Sequence, residues 1–174
     1  KYCEYIVKAG KEGARLIVTP ETGIPTYPYW RTNFGYTSPD TVAPWKETVL
    51  AYYENSVRIP DDIGSLCQAA REAKAICVIG CSEQDNRPGS CTLYNTMIFI
   101  GPDGELLGRH RKLMPTHSEK IFWGNGDASD ILVVDTDLGR LGGLICFENH
   151  VFWFKAALAV QGEDIHAACW PGWY

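Results

Sequence analysis

Two stretches near the middle of the chain, AICVIGCSE (75–83) and TLYNTMIFIGPDG (92–104), constrain the fold more than any other feature. Each is apolar over most of its length, so each reads as a strand covered on both faces. Residues 1–14 place Tyr2, Tyr5, Ile6 and Ala9 on one helical face and close near Gly13. RLIVTPE (15–21) is a short apolar strand ending at Pro20 and Glu21, followed by an aromatic loop broken by proline and glycine. APWKETVLAYYENSV (43–57) and PDDIGSLCQAAREAKA (60–75) read as helices, the second with Pro60 in its first turn and acidic residues behind it. ELLGRHRKL (105–113) follows its predecessor through a hairpin at Pro102, Asp103 and Gly104. DILVVDTD (130–137) and GRLGGLIC (139–146) flank a tight turn, and a helix over about 152–161 leads to a last strand, DIHAACW. Strands alternating with helices in this way predict an α/β layered sheet within one domain, 1–174.

The chain has 174 residues, 45% of them hydrophobic, enough for a substantial core. A formal net charge of -5 argues against nucleic acid or an anionic membrane surface as a partner. No apolar run approaches the ~18–20 residues that span a bilayer, and KYCEYIVKAG is amphipathic where a secretory leader would be apolar. Seven cysteines, an odd number without a regular framework, favour reduced thiols in the cytoplasm. CVIGC (77–81) is one residue too long for a C-x-x-C pair, and HSE around Glu119 lacks the P-C-x-x-C partner of zinc deaminases. Neither a metal nor another cofactor is expected.

Three polar groups stand at the ends of apolar strands: Glu21, Lys112 and Cys146. Ligand sites in open α/β sheets lie beyond the carboxyl ends of strands, so three such ends can converge on one crevice. A thiol must lose its proton to attack, a carboxylate can accept it, and an ammonium can stabilise the anion that forms. Each residue also has a plain structural reading: a buried cysteine, a turn cap, and one member of a solvated basic edge strand. Glu148 and Asn149 read as the opening of the helix after Cys146, whose N-terminus would lower the thiol pKa.

VTPETGIPTYPYW, GRHRKLMPTHSEKIFWGNGD and GRLGGLICFENH resemble the three signature regions of the nitrilase, or carbon–nitrogen hydrolase, superfamily, most closely its nitrilase branch. The resemblance implies an α-β-β-α sandwich and a catalytic triad matching Glu21, Lys112 and Cys146. A second glutamate of the family, which orients lysine and substrate, matches Glu119. The chain then reads as incomplete at both ends, since family members begin with a strand ahead of residue 1 and continue beyond WPGWY. Phe147 and Trp170 are the chosen candidates for the substrate-binding wall, from a wider set that includes Tyr27, Tyr29, Trp30 and His150. The implied reaction converts a small nitrile and water to carboxylic acid and ammonia through a thioimidate and a thioester. Within the same fold an aliphatic amidase or carbamoylase, or a cyanide-degrading enzyme, is the alternative. A papain-like protease fails because no histidine follows Cys169, and a catalytically inactive scaffold would not need all four charged or thiol groups. The resemblance also implies a homo-oligomer for the full-length protein.

Overall fold

The computed structural model describes residues 1–33 and 39–172. In chain order the elements are α1 (Tyr2–Lys11), β1 (Leu16–Val18), α2 (Pro39–Glu54), β2 (Val57–Arg58), α3 (Gly64–Ala73), β3 (Ile76–Gln84), β4 (Leu93–Ile100), β5 (Leu106–Arg111), β6 (Val134–Thr136), β7 (Gly139–Ile145), α4 (Phe152–Val160) and β8 (Ile165–Cys169). They form two sheets. The larger has the order β1-β3-β4-β5, with β2 also paired to β3, and the smaller has the order β6-β7-β8.

Every residue of β3 and β4 is buried, and the period-two geometry of a strand explains how. Cys77, Ile79 and Cys81 of β3, with Ile98 and Ile100 of β4, pack outward against Ile6 of α1 and Leu66, Ala69, Ala70 and Ala73 of α3. Ile76 and Val78 of β3, with Met97 and Phe99 of β4, pack inward against Val134, Leu141, Ile145, Ala167 and Cys169 of the second sheet. On the far side of that sheet α4 lies against β7, with Leu144 and Leu158 both fully buried. The layering is therefore α-β-β-α. Each fully buried isoleucine or phenylalanine contributes roughly 1.5–3 kcal/mol relative to exposure, which is why the central strands carry no polar face. Phe152, Trp153 and Val160, on the opposite side of α4, are exposed. No helix among the described residues is long and apolar enough to cross a membrane.

Several element boundaries differ from the sequence expectation, and α2 begins at Pro39, ahead of the anticipated residue 43. The helix anticipated from Pro60 begins at Gly64, because the Asp62 carboxylate accepts from the Arg58 backbone N–H and closes a turn instead of opening a helix. Val57, read as the end of the preceding helix, pairs with β3 together with Arg58 as β2. The strand anticipated over 130–137 is confined to Val134–Thr136. Asp127 accepts from Ser129 N, and Asp130 accepts from Asp127 N, so the segment before it winds into a capped 3-10 turn.

Candidate active site

β5 ends at Arg111, but the Lys112 N–H still donates to Asn95 O at 2.8 Å and carries the ladder one residue further. Alternation along the strand puts Arg109 and Arg111 on one face, His110 and Lys112 on the other. The two faces do different work. Arg109 and Arg111 both donate to Glu83, a fully buried carboxylate on β3 that also accepts from Thr96. Lys112 turns into the protein with its side chain fully enclosed, and Nζ donates to Glu21 Oε1 and to Glu119 Oε2, both at 2.8 Å. A solvated edge-strand lysine is thereby excluded. An ammonium so deeply buried persists only with such partners.

Glu21 lies in the turn after β1, and its placement depends on Gly80. A Cβ at Gly80 would stand 2.2 Å from Pro20 O and 3.0 Å from Glu21 Cα, so the turn crosses β3 against bare backbone. The Glu21 N–H donates to Trp170 O at 3.0 Å. Its Oε1 also accepts from Asn95 Nδ2 at 2.6 Å, whereas Oε2 has no hydrogen-bond partner among the described residues. Glu119 sits in the first turn of a 3-10 segment, His117–Ile121, where Oε2 also accepts from Thr116 N. Its Oε1 accepts from the Tyr27 hydroxyl at 2.7 Å. Glu119 is thus buried, not a surface carboxylate.

Cys146 reaches the same region along the second sheet. Ile145 of β7 pairs with Cys169 of β8, and the next residue, Trp170, holds the backbone of Glu21. At Cys146 the chain leaves the strand with φ +52°, a left-handed conformation that is costly for any side chain other than glycine.

The protonation states follow from burial and from neighbouring charge. Burial raises the Glu21 pKa; Lys112 opposes that, and Glu119 adds to it. Burial works against the Lys112 ammonium, but the two carboxylates outweigh it and hold the pKa above the ordinary lysine value. The Cys146 thiol is pushed up to about 11, first by burial and then by Glu21, with Lys112 only partly offsetting them. This corrects the expected lowering of the thiol pKa by a helix N-terminus. Cys146 does not sit at the N-terminus of α4, which begins at Phe152 after an intervening 3-10 turn, Cys146–His150. A pocket holding two carboxylates and one ammonium also disfavours a further anion.

Glu148 and Asn149 do not open α4 either. Glu148 is buried: Oε2 accepts from Ile145 N and is hydrogen-bonded with His110 Nε2, and Oε1 accepts from Leu113 N, each at 2.8 Å. One carboxylate therefore ties the residue before Cys146 to the residue after Lys112. Asn149 donates to Leu144 O and Cys146 O, closing the turn that follows the thiol.

Phe147 and Trp170 flank His150, with ring centroids 5.3 and 5.5 Å from it, and both are more than a third exposed. Phe147 also lines a cavity of about 420 Å³ with Met114, Pro115, His117 and Phe154. Tyr29, with Tyr27 and Glu21, lines a small cavity of about 120 Å³. Trp30 packs instead in an aromatic cluster with Tyr52 and Phe122. Sequence reasoning missed Asn95, the Glu148–His110 pair and the Glu83 cluster. Polar residues inside otherwise apolar strands were the available signal for Glu83 and Asn95.

The carbon–nitrogen hydrolase family model matches residues 1–174. Among curated proteins, "Nitrilase 2" from an unknown prokaryotic organism is 41% identical over 172 residues, covering 95% of this chain and 51% of that protein. A cyanide hydratase of Stereum hirsutum (strain FP-91666) is 39% identical over 173 residues, covering 98% of this chain and 44% of its own length. A nitrilase of Bacillus sp. (strain OxB-1) is 35% identical over 175 residues, covering 98% and 48%. The chain spans about half the length of these relatives. A solved structure of a Saccharomyces cerevisiae member of branch 10 of the nitrilase superfamily superposes with a TM-score of 0.68 at 25% identity, over 96% of this chain and 56% of that one.

Proposed function

The chain belongs to the carbon–nitrogen hydrolase family, and we propose that it carries the catalytic centre of an enzyme that hydrolyses a small nitrile to a carboxylic acid and ammonia, with Cys146 as nucleophile, Glu21 as general base and acid, and Lys112 as the electrostatic partner of both. The observation that supports this most directly is the Lys112 ammonium held between Glu21 and Glu119, with one Glu21 oxygen left without a partner among the described residues.

In the first step Glu21 accepts the Cys146 proton as sulfur attacks the nitrile carbon. The C≡N bond loses one π pair to nitrogen, which takes the proton back from Glu21, giving a thioimidate. Water then adds to the thioimidate carbon with Glu21 as base. Protonation and departure of nitrogen release ammonia and leave a thioester, which a second water hydrolyses to the acid and free thiol. Lys112 and the Phe147 backbone N–H face the charge that develops, and such a donor is typically worth ~3–4 kcal/mol in the transition state. Glu119, held by Tyr27 and Thr116, fixes Lys112. Phe147 and Trp170 form part of the wall that contacts the substrate.

A cyanide hydratase among the relatives favours a second outcome at the same centre. If the tetrahedral adduct of the first water expels sulfur instead of nitrogen, the product is the amide, and hydrogen cyanide would give formamide. The deciding experiment supplies the full-length enzyme with aliphatic, aromatic and arylaceto nitriles, cyanide, and the matching amides, and measures ammonia and amide separately. Ammonia from a nitrile supports the nitrilase reading. Amide accumulation assigns the hydratase outcome, and turnover of amides alone overturns both. Self-association is expected of the full-length protein and is checked by light scattering.

A further inference from the structure

We infer that Asn95 is a positioning residue for the base: by donating to Glu21 Oε1 beside Lys112 Nζ, it commits that oxygen and leaves Oε2 as the oxygen that takes the thiol proton. The inference rests on the nitrilase-type reading of Glu21 and Cys146 and adds a component that reading lacks. Asn95 lies in β4 with 1% of its surface exposed, and its Oδ1 is buried without a partner among the described residues. A buried amide with half its hydrogen-bonding capacity unmet weakens a fold, so its presence needs another reason. The strand does not supply one. The Asn95 backbone is paired with Ser82 and accepts from Lys112 N irrespective of the side chain. Among the described residues its side-chain amide has one hydrogen-bond partner, Glu21 Oε1, at 2.6 Å. With Lys112 alone, the carboxylate could rotate and present either oxygen. Two donors converging on Oε1 from different strand ends fix its plane.

The groups that bear on Glu21 come from every surrounding element. They are Lys112 after β5, Glu119 in its 3-10 turn, Tyr27 in the aromatic loop, Tyr52 on α2, Cys146 after β7 and Cys169 on β8. Against that background the Asn95 donor favours the ionised carboxylate. Removing it makes Glu21 easier to protonate, so the acid limb of the rate profile moves to higher pH.

The test compares Asn95→Leu, Asn95→Asp and Asn95→Ser in the full-length enzyme, measuring kcat and KM for a nitrile from pH 5 to 9. Asn95→Leu should lower kcat at least tenfold with KM changed less than twofold, and should raise the acid limb by about one pH unit. Asn95→Asp, which brings a like charge against Glu21, should raise it further, while Asn95→Ser retains a donor and should recover part of kcat. An equal loss at every pH with no movement of the limb would make Asn95 a purely structural residue and overturn the inference, as would failure of all three variants to fold. Glu21→Gln and Cys146→Ala serve as controls. If either remains active, the underlying catalytic reading falls; if both are inactive and the Asn95 variants match the wild type, this inference alone falls.

Discussion

Replacing Lys112 by methionine keeps most of the side-chain volume and removes the ammonium that two buried carboxylates share. Two charge-assisted hydrogen bonds disappear, each worth about 1.5–3 kcal/mol, and Glu21 and Glu119 are left facing one another. The full penalty does not appear, because one of the pair can neutralise itself by binding a proton. A loss of about 3–4 kcal/mol at pH 8 is expected, in line with removal of one partner of a buried ion pair. The variant's carboxyl pKa in the folded state then lies well above its unfolded value. Such a group stabilises the fold below the unfolded pKa, and the contribution is lost as pH rises through the folded one. The deficit should therefore shrink between pH 8 and pH 5.5. Thermal melting of the full-length variant against wild type at both pH values measures it, and ammonia release measures activity, expected to fall at least a thousandfold. Activity within threefold of wild type, or a melting deficit that does not change with pH, would refute the reasoning.

Gly80→Ala places a methyl group 2.2 Å from Pro20 O, so the Glu21 turn must shift; activity should fall about a hundredfold while near-native circular dichroism is retained. Glu148→Gln turns one acceptor of the bracket between Ile145 and Leu113 into a donor facing a donor, which should cost roughly 2–3 kcal/mol in a denaturant titration and lower kcat. With its thiol held at about 11, Cys146 is ionised in only about one molecule in ten thousand at pH 7. Its alkylation by iodoacetamide should consequently rise steeply above pH 9, and an inflection below pH 7 would show a preformed thiolate.

What the sequence disclosed and what it concealed follow from range. The doubly buried strands announce themselves because burial on both faces leaves a continuous apolar run, and the hairpin at Pro102–Gly104 because turn chemistry is local. Glu21, Lys112 and Cys146 stand where apolar runs stop, so their candidacy was visible without coordinates. The second carboxyl partner of Lys112 was visible only through a motif. Asn95, Glu148 and Glu83 were not, because each acts through partners distant in the chain: 74 residues from Asn95 to Glu21, 38 from Glu148 to His110 and 28 from Glu83 to Arg111. Helix-start rules misread Glu148 and Asp62 for a related reason. A carboxylate near the start of a periodic segment satisfies those rules equally well when it accepts from backbone N–H groups elsewhere.

The charge content of the pocket decides how the proton must move. With Glu21 and Glu119 ionised beside the Lys112 ammonium, the site would carry one net negative charge before the thiol is counted, and ionising the half-buried Cys146 in the resting state would add a second. In the proposed mechanism, proton transfer is therefore favourable only as sulfur's electron pair passes into a bond with carbon and the charge moves to nitrogen. The Glu119 charge raises the proton affinity of Glu21, so under the proposed mechanism Glu119 would strengthen that base as well as hold Lys112. Glu119→Gln keeps an oxygen that can accept from Lys112 and Thr116, removes the charge, and turns the acceptor of the Tyr27 hydroxyl into a donor, so that hydroxyl must rotate. The Glu21 pKa should fall, so the acid limb should move to lower pH, opposite in sign to the shift expected of Asn95→Leu. Maximal kcat should drop about tenfold or more because the base is weaker. Rate profiles of the two variants measured side by side provide the check: a limb that moves upward with Glu119→Gln, or stays in place, would mean that Glu119 does not act on Glu21 through its charge.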